Sequence, residues 1–222
     1  TDPIRVAVYR GPASCENCSE TLKTAIEQLG PNYRVDFVGK GERIDITPET
    51  LSRYDVYAQP GGGQDIPGAL ASLGDNRIDA IHDYVAHGGR YLGICMGAYL
   101  ASASGLGLIP HELDSEVGRP GFSVTTTDDA AVAVQWQGRE ETIFYQDGPY
   151  LFRAAHDTGF KAIAAYANND LAAARYSLGK GVVVLSGPHP EADESWFEDA
   201  GIPLENRPSD RLLRSLLTEL RR

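Results

Sequence analysis

Short apolar runs alternating with amphipathic stretches set the rhythm of this chain. Residues 4–9, 33–38, 54–58 and 90–94 are β-branched or apolar runs of strand length. Between them, residues 20–29 place Leu22, Ala25, Ile26 and Leu29 on one helical face, and Gly30-Pro31 closes that helix. Residues 75–87 repeat the pattern with Ile78, Ile81, His82 and Val85 facing inward, closed by Gly88-Gly89. Strand and helix in alternation predict right-handed crossovers and a parallel sheet covered on both faces.

The rhythm changes after residue 120. Residues 122–127, 132–136 and 141–144 are short β-like runs, which predict an antiparallel extension of the sheet or a small subdomain. Residues 160–166, 172–177 and 182–185 return as strands, the last two joined by a tight hairpin at Leu178-Gly179-Lys180-Gly181. A final helix is predicted from Ser209 as N-cap, with Leu212, Leu213, Leu216, Leu217 and Leu220 as a core-facing stripe. The whole is an α/β chain, mostly parallel, read as one domain over 1–222. Its 222 residues, 42% hydrophobic, suit one sizeable core better than two small ones.

Charge and cysteine count narrow the partners. A net charge of -11, from 20 Lys and Arg against 31 Asp and Glu, excludes a nucleic-acid backbone as partner, because no segment concentrates enough positive charge. Residues 91–110 carry no charge, yet they are rich in Gly, Ser and Ala and parse as buried strand, turn and helix rather than a membrane span. Three cysteines are too few for a disulfide scaffold. The Cys15/Cys18 pair lacks the second ligand pair that a structural zinc would need, so no metal or cofactor is expected. A disulfide, a redox pair and two ordinary thiols all remain open for it. The start Thr1-Asp2-Pro3 fits a cytoplasmic opening without its methionine or a mature end after cleavage, which leaves the compartment open. A small-molecule substrate is the expected partner, and the sequence leaves room for a homo-oligomer.

The chemistry concentrates at Gly93-Ile94-Cys95-Met96-Gly97, where an apolar strand turns into a small-residue helix. Two glycines flanking a cysteine suit a strained strand-to-helix elbow, which would present the thiol to solvent at a helix start. A free cysteine titrates near roughly 8.5, and the positive end of a helix favours the thiolate. Ser186-Gly187-Pro188-His189-Pro190-Glu191 offers an imidazole and a carboxylate two residues apart. Cys95 as nucleophile, His189 as general base and later acid, and Glu191 as the group orienting the imidazole make one constellation. Backbone N–H groups near Gly61 and Gly62, in Pro60-Gly61-Gly62-Gly63, and at Met96 would face a developing oxyanion. The loops after the first, third and fourth strands and after 182–185 meet at the carboxyl edge of such a sheet, the usual ligand edge.

These residues carry a family resemblance. Gly93-Ile94-Cys95-Met96-Gly97 with His189-Pro190-Glu191 resembles class I glutamine amidotransferase-like proteins, which place a Cys-His-Glu triad on a flavodoxin-like three-layer sandwich. Tyr9-Arg10-Gly11-Pro12, Pro60-Gly61-Gly62, residues 88–99 and residues 186–191 are similar to the N-terminal domain of fungal-type biotin–protein ligases and its stand-alone bacterial relatives. The resemblance implies Cys95, His189 and Glu191 as the triad, with donors near Gly62 and at Met96. Glutaminases of this class carry Gln four residues after the cysteine, against the glutamine substrate; here that position is Tyr99. That departure argues against glutamine itself. The 222 residues hold neither a synthase domain nor a biotin-ligase catalytic domain, so ammonia channelling and biotin transfer are not implied. A cysteine amidase or hydrolase of a small amide is therefore expected. A non-catalytic binding or regulatory domain, motivated by Tyr99, and a redox-protective protein, motivated by Cys15 and Cys18, are the alternatives.

Overall fold

The computed structural model describes residues 2–222; Thr1, part of the opening read above, lies outside the described residues. Nine strands form one sheet in the order β2-β1-β3-β4-β9-β8-β7-β5-β6. The parallel part comprises β2 (Tyr33–Val38), β1 (Ile4–Tyr9), β3 (Val56–Gln59), β4 (Arg90–Ile94) and β9 (Gly181–Ser186). From β9 onward every pairing is antiparallel, through β8 (Leu171–Leu178), β7 (Lys161–Tyr166), β5 (Ala130–Trp136) and β6 (Arg139–Tyr145).

Strand alternation divides the core into two layers. Val6, Val8, Val56, Ala58, Leu92 and Val184 pack on the face covered by α1 (Cys18–Glu27) and α7 (Arg211–Leu220). Ala7, Tyr57, Tyr91, Val183 and Leu185 face α2 (Pro48–Leu51), α3 (Ile66–Leu73), α4 (Asp75–Ala86) and α5 (Met96–Leu100). The strands are apolar on both faces because both faces are covered. The leucine stripe of α7 is buried at all five predicted positions.

Four expectations change. Residues 122–127 form no strand. Phe122 instead buries its ring edge-on against Tyr145 and Tyr166, 5.1 and 5.2 Å between centroids, while the backbone turns through Gly118 and Gly121 at positive φ. Asp210, not Ser209, is the N-cap of α7, although the Ser209 hydroxyl accepts from the Arg211 N–H. The helix of residues 20–29 starts earlier, at Cys18, and the third strand is shifted to Val56–Gln59. Three helices of four to eight residues, α2, α3 and α6 (Glu194–Ala200), escape periodicity because each is too short to display a full stripe. Their caps were the readable signal: Thr47, Asp65 and Asp193 each accept a backbone N–H at the helix start.

Candidate functional site

Four loops meet at the carboxyl ends of β1, β3, β4 and β9. The Cys15 N–H donates to the Gly61 carbonyl at 3.1 Å, tying the first loop to the second. The Cys95 N–H donates to the Ser186 carbonyl at 2.8 Å, tying the elbow to the end of β9. The His189 N–H donates to the Phe144 carbonyl at 2.8 Å, which draws the antiparallel extension into the same place.

The elbow has the geometry its glycines require. Cys95 sits at φ 55° and ψ -107°, a region costing a non-glycine residue about 1–3 kcal/mol. A Cβ on Gly93 would lie 2.4 Å from the Gly97 carbonyl oxygen, and one on Gly97 would lie 2.1 Å from that of Gln59. No larger side chain fits at either position.

The thiol, however, does not face solvent. Cys95 is 2% exposed, and its S–H donates to the Gln146 carbonyl oxygen at 3.4 Å. The physical reason is the 146–148 turn, which the antiparallel extension lays across the elbow; nothing in the elbow's own sequence foretells it.

His189 and Glu191 are likewise buried, with Nδ1 3.0 Å from Oε2. Burial works against a charge on the ring, but Glu191 and then Cys95 overcome it and push the imidazole up to about 10. The ring therefore carries its proton at neutral pH. Glu191 spends one oxygen on the ring; its Oε1 is buried without a partner. Trp196, on α6, packs edge-on to the ring at 5.1 Å and Phe144 at 6.0 Å, so aromatic walls fix its plane.

His189 lines a cavity of about 270 Å³ together with Gly62, Phe144, Gln146 and Trp196. Cys15 and Cys18 form a disulfide that lines the same cavity, resolving the alternatives left by their spacing. Gly61 approaches His189 so closely that a Cβ there would lie 2.9 Å from Cε1. Met96 is fully buried, its Cε 2.8 Å from where a Cβ on Gly62 would stand. Tyr99 does not line this cavity: its hydroxyl donates to the Asp147 carbonyl at 2.8 Å. The polar and aromatic loop of residues 145–150, which the sequence offers either as a pocket wall or as a plain turn, supplies Gln146 to the lining; sequence reasoning missed Phe144 and Trp196, and the Asp193 cap two residues after Glu191 was the one signal for Trp196. Among the described residues no cluster of three or more His, Cys, Asp or Glu could hold a metal ion, and no helix is long and apolar enough to cross a membrane. Three of the other four histidines have partners elsewhere: His82 bonds the Leu106 carbonyl, His87 that of Asp83, and His111 stacks on Phe152; His156 does not line the cavity.

Comparison with known proteins bears on the family and the fold. Residues 4–105 match the family described as biotin-protein ligase, N terminal. The biotin–protein ligase of Schizosaccharomyces pombe (strain 972 / ATCC 24843) is 27% identical over 241 residues, 97% of this chain and 37% of that protein. An uncharacterized protein of Chlamydia muridarum (strain MoPn / Nigg) is 33% identical over 156 residues, 59% of this chain and 58% of that protein. The chain thus spans 37% and 58% of the length of these curated relatives. A crystal structure of a glutamine amidotransferase aligns with a TM-score of 0.65 over 98% of this chain and 99% of that one; at 18% identity this speaks to fold alone. Residues 4–105 are thus similar to the biotin–protein ligase N-terminal domain, nearly the whole chain aligns with a biotin–protein ligase, and the fold is glutamine amidotransferase-like.

Proposed function

We propose that this chain is a cysteine-dependent amidase or related C–N hydrolase of a small amide, with Cys95 as nucleophile, His189 as proton carrier and Glu191 as its orienting carboxylate. The buried His189–Glu191 hydrogen bond at 3.0 Å, beside the strained cysteine elbow and opening on a cavity, carries this reading. The Cys95 sulfur, its proton held on His189, attacks the amide carbon and forms the S–C bond. The imidazolium returns that proton to the departing nitrogen as the C–N bond breaks, leaving an acyl thioester and free amine. Water then attacks the thioester, giving one proton to His189; the S–C bond breaks, the carboxylic acid leaves and sheds its own proton to solvent, and the sulfur is restored with its proton on His189. Backbone N–H groups near Gly61 and Gly62 and at Met96 are the proposed oxyanion donors, each worth about 3 kcal/mol in such sites. Tyr99, at the position where glutaminases carry Gln, supports a substrate other than glutamine.

An electrophilic amide analogue is expected to add one equivalent to the protein at Cys95, read by intact mass, and to leave Cys95→Ala unlabelled. Stoichiometric labelling of Cys95→Ala would end the assignment.

One observation favours a second reading, a non-catalytic binding domain that keeps the cavity: Cys95 is buried beneath the Gln146 carbonyl. That reading expects saturable ligand binding in the cavity, no labelling of Cys95 by the analogue, and unchanged affinity in Cys95→Ala.

A further inference from the structure

We infer that Tyr99 is a positioning residue that latches the 146–148 turn over the Cys95 sulfur, making that turn a gate between the thiol and the cavity. Cys95 is 2% exposed and does not line the cavity, whereas Gln146, whose carbonyl caps the thiol at 3.4 Å, does. Attack on a carbonyl carbon needs an approach of about 3–3.5 Å to the sulfur. The turn therefore stands between the two halves of the proposed chemistry.

Four side-chain donors reach it, beside the Glu116 N–H on the Gly148 carbonyl at 3.0 Å and the bond that Gln146 Nε2 donates to the Thr127 carbonyl at 2.9 Å. The Tyr99 hydroxyl and the Gln64 Nε2 both donate to the Asp147 carbonyl oxygen, at 2.8 and 2.9 Å. The Ser115 hydroxyl donates to Asp147 Oδ1 at 2.7 Å, and the Tyr145 hydroxyl donates to the Gly148 carbonyl at 2.7 Å. Asp147 is held at φ 54°, a conformation that persists in a non-glycine residue only where its surroundings over-determine it. Each restraint removed leaves fewer to offset the cost of that conformation. Among the four donors only Tyr99 belongs to α5, the element that begins beside Cys95, so it alone fastens the turn to the sulfur's own support. Burial pushes its phenol well above the ordinary tyrosine range, so it stays a neutral donor across the working pH.

The link from this gate to turnover rests on the reading of Cys95 as nucleophile; the gate itself does not, and its test needs no substrate. With Cys15 and Cys18 paired, Cys95 is the free cysteine, and its alkylation by iodoacetamide in the folded protein can be followed by intact mass. Tyr99→Phe is expected to speed alkylation about fivefold, the factor corresponding to one net hydrogen bond. Gln64→Ala, a change at an exposed side chain, is expected to act in the same direction, and the pair of changes together more than either. Leu216→Ala, a core truncation in α7 remote from the turn, separates gating from general loosening: the gate requires that it accelerate alkylation less than Tyr99→Phe at matched loss of stability. Unchanged rates in Tyr99→Phe and Gln64→Ala, or equal acceleration by Leu216→Ala, would overturn the latch. Should Tyr99→Phe fail to fold, the rate of Gln64→Ala decides. Faster alkylation without any labelling by an electrophilic amide keeps the gate and removes the amidase; labelling of Cys95 with unchanged alkylation rates does the reverse.

Discussion

His189 Nδ1 lies 3.0 Å from Glu191 Oε2, and both side chains are buried at the carboxyl end of β9. The two residues are separated by one proline, so the short loop that follows the strand delivers base and orienter together. A buried pair of this kind fixes a tautomer and a ring plane at the same time, which is what a proton carrier needs.

Removing the charge of Glu191 should release the imidazole. Desolvation alone would depress the ring; Glu191, with Cys95, raises it to about 10. Glu191→Gln is expected to lower the His189 midpoint by about 1–3 pH units, as loss of an opposite charge at this range does. An NMR titration of the ring reads it, and an unmoved midpoint would refute the pairing as its cause. The folded value lies above the unfolded one, 6.5, so the stabilisation is complete below about pH 6.5 and fades as pH rises through 10. Urea unfolding should therefore show a larger deficit for Glu191→Gln at pH 6 than at pH 10.5.

Glu116 titrates near neutrality for a different reason. Burial raises its carboxyl to about 7, against the bond donated by Asn168 and the pull of Arg119 and with the push of Asp170. Its folded value also exceeds its unfolded one, 4.5, so stability falls as pH rises from there through 7. Glu116→Gln is expected to be near neutral at pH 5 and stabilising by roughly 1–3 kcal/mol at pH 9, the cost of burying an unpaired polar group. Equal midpoints in urea at pH 9 would count against it.

Gly61 and Gly62 should fail in different ways. A Cβ on Gly62 would meet the Ala13 carbonyl oxygen at 2.1 Å, a backbone atom that cannot move without the loop. Gly62→Ala is therefore expected to cost about 1–3 kcal/mol in unfolding free energy. A Cβ on Gly61 meets Cε1 of His189 at 2.9 Å, so Gly61→Ala should displace the ring. A shifted His189 resonance, with less than half the stability loss of Gly62→Ala, is the expected outcome. The opposite order would show that the ring is not what confines Gly61.

The Cys15–Cys18 disulfide closes a very short loop at the cavity wall. By chain entropy such a loop is worth roughly 2 kcal/mol. Cys15→Ser with Cys18→Ser, or reduction of the native protein, should lower the unfolding free energy by about that amount. No change on reduction would mean that the wall is held by the Cys15–Gly61 backbone bond and its neighbours instead.

The parallel core was legible before any coordinates, because its physics is local. The runs 4–9, 33–38 and 90–94 coincide with β1, β2 and β4 residue for residue, since each is a mostly apolar run bounded by glycine or proline; the polar Arg34 and Asp36 fall on β2, the strand at the sheet edge. The loop Ser186–Glu191 and the elbow glycines were readable for the same reason: steric crowding at Gly93 and Gly97 leaves its mark on residue type. Phe122 misled because an aromatic flanked by Ser, Val and Thr has a strand's composition, whereas its burial is settled by Tyr145 and Tyr166, residues remote in sequence.

By itself the sequence determined the αβ alternation, the elbow, and the pairing of His189 with Glu191, each dictated by neighbours within a few positions. Only the tertiary structure decided that Cys95 is covered. The turn at 146–148 comes from the antiparallel extension, and Tyr99 and Gln64, 48 and 83 residues away in sequence, both donate to its Asp147 carbonyl. Exposure depends on what packs over a group from elsewhere in the chain, and no local pattern encodes that.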